Sequence, residues 1–160
     1  MSNRESSPAV STSPVSMPDA GYAGDVAPAQ SWERLSQDPA AQLIDVRTLA
    51  EWNFVGIPDL APLQRQALLC QWQLFPSGAN PDFVEQAKTA LKGTAYRPDA
   101  PLFFLCRSGA RSRAAAIAMT AAGFGPCFNI EDGFEGGLDP SRHRGAADGW
   151  KASGLPWIQT

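Results

Sequence analysis

Pro101-Leu102-Phe103-Phe104-Leu105-Cys106-Arg107-Ser108-Gly109-Ala110-Arg111-Ser112 passes from an unbroken apolar run, through a cysteine, into a short polar loop. An alanine-rich stretch, 112–122, follows, and Gly123 closes it. A short apolar run without alternation predicts a strand covered on both faces of a parallel sheet. The alanine-rich stretch predicts a helix that packs closely on that sheet. Cys106 therefore falls at the carboxyl end of a strand and at the mouth of a helix amino terminus. In open parallel α/β sheets this edge is where ligands bind. Backbone N–H groups and the guanidinium groups of Arg107 and Arg111 favour thiolate over thiol there. Gly109 permits a backbone turn with positive φ, so that successive N–H groups can form an anion-holding nest. Cys106 is the candidate nucleophile.

The same alternation of strand and helix extends outward from this segment. Residues 24–26 form a candidate edge strand, and 29–37 have helical spacing with Trp32 and Leu35 on one face. Residues 41–46 read as a second buried strand. Thr48 caps the helix that follows, with Glu51 three residues on as its capping-box partner. Residues 56–59 read as a turn. Residues 60–71 fit no single pattern, and 71–74 alternate like a strand. A helix is predicted over 82–91, stopped at Gly93, and a last strand over 127–130. Glycine and aspartate dominate from Glu131 to Trp150, and 154–157 form an apolar tail able to fold back on the core. The expected fold class is α/β, a five-stranded, mostly parallel sheet with helices on both faces. Residues 1–23, rich in serine and proline, are expected to be a disordered arm, with order beginning near Tyr22 and the domain occupying 24–160.

The chain has 160 residues, a formal net charge of −3 and a pI near 5.1. That length suits one domain with a real core. The few arginines gather near Cys106 instead of lining a basic face, so nucleic-acid binding is not expected. No apolar stretch is long enough to cross a bilayer, and no membrane partner is expected. The amino terminus lacks the apolar segment of a secretory signal and the arginine richness of a transit peptide. Three widely spaced cysteines, Cys70, Cys106 and Cys127, argue against a disulfide framework and for a reducing compartment. The expected location is the cytoplasm. One histidine, His143, and scattered cysteines make no recognisable metal site, and no cofactor is expected.

Two motifs resemble the rhodanese (thiosulfate sulfurtransferase) family. The stretch Leu43-Ile44-Asp45-Val46-Arg47-Thr48-Leu49-Ala50-Glu51-Trp52 is similar to that family's early Asp-Val-Arg strand and Glu-aromatic helix. The stretch from Cys106 to Ser112 is similar to its active-site loop. A weaker similarity lies at Asn129-Ile130-Glu131-Asp132-Gly133-Phe134. The resemblance covers roughly residues 24–157. It implies ping-pong covalent catalysis, in which the Cys106 thiolate takes the outer sulfur of a small anionic donor such as thiosulfate. Sulfite leaves, Cys106 carries a persulfide, and a thiol, cyanide or a protein acceptor removes that sulfur. Loop amides and arginine would stabilise the anions. The alternatives are a persulfide carrier or regulatory module without turnover, and a phosphatase or arsenate reductase. The last two use a longer loop than the four residues that separate Cys106 from Arg111 here.

Arg107, Ser108, Gly109, Ala110, Arg111 and Ser112 are the candidate substrate-binding loop, with Asp45 and Arg47 in support. Each arginine is open between contact with substrate and bracing of the loop. Ser108 and Ser112 are expected to cap or brace, since nothing nearby would deprotonate them. Asp45 is expected to brace the loop, and Arg47 to pair with Glu51 across one helical turn. Cys70 and Cys127 read as buried apolar residues and His143 as a solvated loop residue. Trp72 and Phe134 are candidates for the pocket mouth. Departures from the family pattern fall at 55–59, where Gly-Ile-Pro replaces Gly-His-Ile, and in apparent insertions at 60–80 and 139–149.

Overall fold

The strand expected to be covered on both faces is the central one: Leu102–Leu105 lies third in a five-stranded sheet. In the computed structural model, which describes residues 21–74 and 76–159, the elements run as follows. They are β1 (Gly24–Val26), α1 (Pro28–Gln37), β2 (Gln42–Asp45), α2 (Leu49–Val55) and β3 (Ile57–Pro58). A 3-10 turn at Ala61–Leu63 leads to β4 (Leu68–Leu69), β5 (Gln73–Leu74), β6 (Gly78–Ala79) and α3 (Phe83–Lys92). Last come β7 (Leu102–Leu105), α4 (Ala110–Ala121), β8 (Cys127–Ile130) and β9 (Trp157–Ile158). The main sheet has the order β1-β8-β7-β2-β4, and its strands pair in parallel. This is the expected α/β fold.

Side-chain alternation sorts the core into two layers. Leu102 and Phe104 of β7 and Ile44 of β2 join Ala115, Ala116 and Met119 of α4 and Phe83, Ala87 and Leu91 of α3. Phe103 and Leu105 of β7 and Leu43 of β2 face the other way, toward Leu35 of α1, Leu60, Phe134 and Trp150. Helices thus cover both faces. The small side chains of α4 let it sit close on β7 and β8. Cys106 continues the alternation of β7 and points into the α4 layer.

Local chemistry explains the starts of the helices. Pro28 supplies the fixed φ that suits a first helical position. At α2 the Glu51 N–H donates to Thr48 Oγ1 at 3.4 Å and the Thr48 N–H donates to Glu51 Oε1 at 3.1 Å, the expected capping box.

Several expectations are corrected. The 56–59 turn contains β3, which pairs antiparallel with β9 at the end of the apolar tail. The unassigned 60–71 stretch supplies the fifth strand of the main sheet, β4. The expected strand over 71–74 is reduced to β5, paired with β6 in a separate two-stranded ribbon. Helix α4 begins at Ala110, two residues before the expected start, so Ala110 and Arg111 are helical. The stretch 139–149 carries turns and bends. Residues 1–20 of the expected arm lie outside the described residues. Tyr22, near which order was expected to begin, is buried in the core, and the Ala23 N–H donates to the Cys127 carbonyl at 2.8 Å. No helix among the described residues is long and apolar enough to cross a membrane.

Candidate active site

Strand β7 delivers Cys106 to the carboxyl edge of the sheet, and the backbone then turns through Arg107 and Ser108 into α4. Gly109 makes the turn with φ 119°, a conformation that L side chains rarely adopt. This turn brings the Gly109 N–H to 3.1 Å from Cys106 Sγ, where it donates. Ser112, in the first turn of the helix, brings its hydroxyl oxygen to 3.2 Å from the same sulfur. That oxygen is also 3.2 Å from the Gly109 carbonyl and 2.5 Å from Asn129 Oδ1. Cys106 is 1% exposed and Ser112 is fully buried, while Arg107, Ser108 and Ala110 are exposed. The sulfur therefore lies directly beneath the loop surface and is closed off by it. Two clefts of about 510 Å³ and 330 Å³ open elsewhere, around Leu63, Leu68 and Ala90 and around Leu60, Leu69 and Ile158, and Cys106 lines neither.

The two loop arginines have different surroundings. Arg111 reaches across to α2 and forms a forked pair with Glu51, Nη1 to Oε1 at 2.6 Å and Nη2 to Oε2 at 2.9 Å. Burial pushes the Glu51 carboxyl up, but the Arg111 guanidinium and the Thr48 amide and hydroxyl pull it down further, to about 2. The hydrogen bonds to Glu51 outweigh burial and raise the Arg111 guanidinium above its ordinary value. Arg111 thus ties the loop to α2. Arg107 is turned to solvent, and its carbonyl accepts from the Glu135 and Gly136 N–H groups at 3.0 and 3.1 Å.

Asp45 and Arg47 correct two expectations. Asp45 braces Arg47, not the loop, and Arg47 pairs with Asp45, not with Glu51. Arg47 Nη2 lies 2.6 Å from Asp45 Oδ2, and Nε lies 2.9 Å from Oδ1. Both side chains are fully buried. Arg47 Nη2 also donates to the Gly56 carbonyl at 2.8 Å, and its guanidinium lies 4.2 Å from the Phe134 ring centre. The physical reason is distance along the fold. Asp45 ends β2 two residues before Arg47, while Glu51 is already engaged by Thr48 and Arg111. Arg47 Nη1 and Trp52 Nε1 are the buried side-chain donors without a partner among the described residues.

Phe134 is fully buried, which corrects its expected place at a pocket mouth. Its N–H donates to the Cys106 carbonyl at 2.8 Å, so it holds the backbone of the site from below. Gly133 lets that segment approach, because a Cβ there would collide with the carbonyl oxygen of Cys106 and the carbonyl group of Arg107. Trp72 is half-buried and packs edge-on against Phe83, with ring centres 5.1 Å apart. Cys70 and Cys127 are buried, and burial pushes both thiols up to about 11. His143 is exposed.

Asn129 and Asp25 had no assigned role from sequence. They are neighbours in register across β8 and β1, and Asn129 Nδ2 donates to Asp25 Oδ1 at 3.0 Å. The available signal was an inward-facing polar residue in an otherwise apolar strand, since buried polar groups need partners.

Comparison with known proteins shows what the chain and its fold resemble. The family described as STR4 middle domain matches residues 23–160. An uncharacterized protein of Rickettsia rickettsii is 38% identical over 128 residues, covering 80% of this chain and 91% of that one. The rhodanese-like domain-containing protein 4, chloroplastic, of Arabidopsis thaliana is 26% identical over 129 residues, which cover 81% of this chain and 24% of that protein. The crystal structure of Rv0390 from M. tuberculosis superposes with a TM-score of 0.78 at 47% identity, covering 87% of this chain and 99% of that one. A homodimeric polysulfide-sulfur transferase from Wolinella succinogenes superposes with a TM-score of 0.51 at 19% identity, covering 85% of this chain and 78% of that one, a likeness of fold alone.

Proposed function

From the premise that this chain belongs to the rhodanese-like family of the STR4 middle domain, we propose that it is a sulfurtransferase acting through Cys106. The observation that carries the reading is the placement of Cys106 at the carboxyl edge of the central strand, with its sulfur 3.1 Å from the Gly109 amide. Cys106 as thiolate attacks the outer sulfur of an anionic donor such as thiosulfate. The S–S bond of the donor breaks, sulfite leaves with the bonding pair, and Cys106 carries a persulfide. A thiol or cyanide then takes the outer sulfur and restores the thiolate. The Gly109 N–H stabilises the charged sulfur without reorganisation, as a fixed dipole does in a site shielded from water. Exposed Arg107 is the arginine left to meet the donor's oxyanion end. Arg111 holds the loop through Glu51 and does not contact the donor.

The test is cyanide-dependent thiocyanate formation from thiosulfate. The native chain turns over, Cys106→Ser loses all activity, and Arg107→Ala raises KM several-fold with kcat little changed. Activity retained in Cys106→Ser overturns the reading. Turnover of an aryl phosphate with none of thiosulfate points instead to phosphatase chemistry.

The 1% exposure of Cys106 favours a second reading. A sulfur closed off beneath its own loop suits a carrier that unloads only against a docked protein acceptor. Loading by thiosulfate without multiple turnover on cyanide or small thiols identifies the carrier.

A further inference from the structure

Sulfur transfer assigns no role to the apparent insertion at 139–149, yet hydrogen bonds tie it to the Cys106 loop. The Arg107 carbonyl accepts from the Glu135 and Gly136 N–H groups. Those two residues hold the insertion in turn. The Gly145 N–H donates to the Glu135 carbonyl at 2.7 Å, and Arg144 Nη1 donates to the Gly136 carbonyl at 2.7 Å. One residue, Gly136, thus separates the Arg144 guanidinium from the backbone of the loop. The base of the insertion has no slack, because a Cβ on Gly136 would overlap Asp148 and one on Gly149 would press on the Gly136 nitrogen. Its tip is closed as well. The His143 N–H donates to Asp139 Oδ1 at 2.9 Å, and the Asp139 N–H donates to the His143 carbonyl at 2.8 Å.

This tip sets an apolar side chain beside cations that lack partners. Leu138 is 53% exposed, Arg142 and His143 are exposed, and Arg144 is half-buried. Arg107, Arg142 and Arg144 have no carboxylate partner among the described residues, whereas Arg47, Arg97 and Arg111 each have one. The carboxylates of the insertion are engaged by backbone: Asp139 by the His143 amide, and Asp148 by the Gly137 N–H at 2.7 Å. Glu131, Asp132 and Glu135 come earlier in the chain, between β8 and Gly136. The chain as a whole carries −3, so unpaired arginines gathered at one rim run against its overall charge. An exposed leucine among free guanidinium groups has the composition of a protein contact, in which arginine is enriched.

We propose that Arg142 and Arg144 of the insertion, with Leu138 beside them and Arg107 of the loop, form a docking surface for an acidic protein that presents its own cysteine as the sulfur acceptor. The acceptor thiolate attacks the outer sulfur of the Cys106 persulfide. The S–S bond breaks, its electron pair returns to Cys106 Sγ, and the acceptor leaves as a persulfide. Complementary charge selects this partner and speeds its encounter with the loop. The inference rests on Cys106 as the reacting sulfur of the proposed function.

The experiment uses the full chain and three peptides of equal length, each with a single cysteine set among glutamates, serines or lysines. Each peptide is activated as its mixed disulfide with thionitrobenzoate. Cys106 bonds to the peptide sulfur, and thionitrobenzoate leaves with the bonding pair and is read by its colour; Cys106→Ser sets the background. At low salt the glutamate peptide reacts about tenfold faster than the serine peptide, the lysine peptide reacts slowest, and high salt removes the differences. Arg142→Asn together with Arg144→Gln abolishes most of the advantage; asparagine tolerates the φ of 66° at position 142. Arg142→Asn alone removes about half of it and serves if the double variant does not fold. Lys88→Ser together with Lys92→Ser, an equal loss of charge from exposed positions of α3, leaves the advantage in place. Equal rates for the glutamate and serine peptides overturn the proposal, as does an advantage that survives the arginine substitutions or falls as far with the lysine ones. Reaction of no peptide above the Cys106→Ser background overturns it too. No sulfane sulfur takes part, so these outcomes stand apart from whether Cys106 accepts sulfur from thiosulfate.

Discussion

Glu51 is the residue on which the loop's attachment turns. It caps α2 through Thr48 and fixes Arg111 through two oxygens, so one carboxylate serves a helix start and the Cys106 loop. Its carboxyl is held near 2 in the fold against an ordinary 4.5. A depressed folded value means that the stabilisation is present above about pH 4.5 and is lost as pH falls toward 2. Solvent screening of this partly exposed pair reduces its size to on the order of 1–2 kcal/mol. Glu51→Gln is expected to flatten the acid limb of the stability profile between these limits and lower the melting temperature at neutral pH, as measured by denaturation across pH. The buried Asp45–Arg47 pair makes a separate demand. Removing one partner strands a charge with no water to replace it, so Asp45→Asn is expected to cost about 3 kcal/mol by urea denaturation. The Asp-Val-Arg motif was plain in the sequence, but its partners were not. An Arg four residues from a Glu on paper is a poor guide when a fold brings Arg111 to that Glu from 60 residues away.

At the scale of elements, periodicity served where the elements were long or continuous. The strands β2, β7 and β8 and the helices α1 and α3 were legible to within a residue or two, the strands from short apolar runs and the helices from helical spacing. The pieces missed were two-residue strands. β3, β4 and β9 are too short to show a period, and they exist because a distant partner satisfies their backbone groups. The start of α4 was missed for another reason. Arg111 looks like loop, yet its side chain is held by Glu51 within the first helical turn. The segment after β8 offered only a weak resemblance at 129–134 and a run rich in glycine and aspartate, though it is what supports the site. Gly133, at φ 62°, lies so close to the Cys106 and Arg107 carbonyl groups that a methyl group has no room. Gly133→Ala is expected to destabilise the fold by about 2 kcal/mol or more and to shift the Cys106 backbone, seen in the amide resonances of residues 106–109.

For the whole molecule, the carboxyl-terminal tail works as a clasp. The Trp150 indole donates to the Pro156 carbonyl at 2.7 Å, β9 pairs with β3, and Trp157 meets Phe134 edge-on at 6.2 Å. Phe134 in turn holds the Cys106 backbone. A chain ending at Gly154 is expected to melt several degrees lower. The folding-back of this tail was readable from its apolar content; its partner strand was not. The arrangement as a whole offers one shielded sulfur at the edge of a parallel sheet, beside two other cysteines whose thiols burial holds up near 11. The most direct measurement is therefore the intact mass of the chain after exposure to thiosulfate, followed by peptide mapping. Sulfur transfer through Cys106 predicts a gain of a single sulfur atom, mapped to the peptide containing Cys106 and released by cyanide. No gain in mass, or a gain mapped to Cys70 or Cys127, would contradict it.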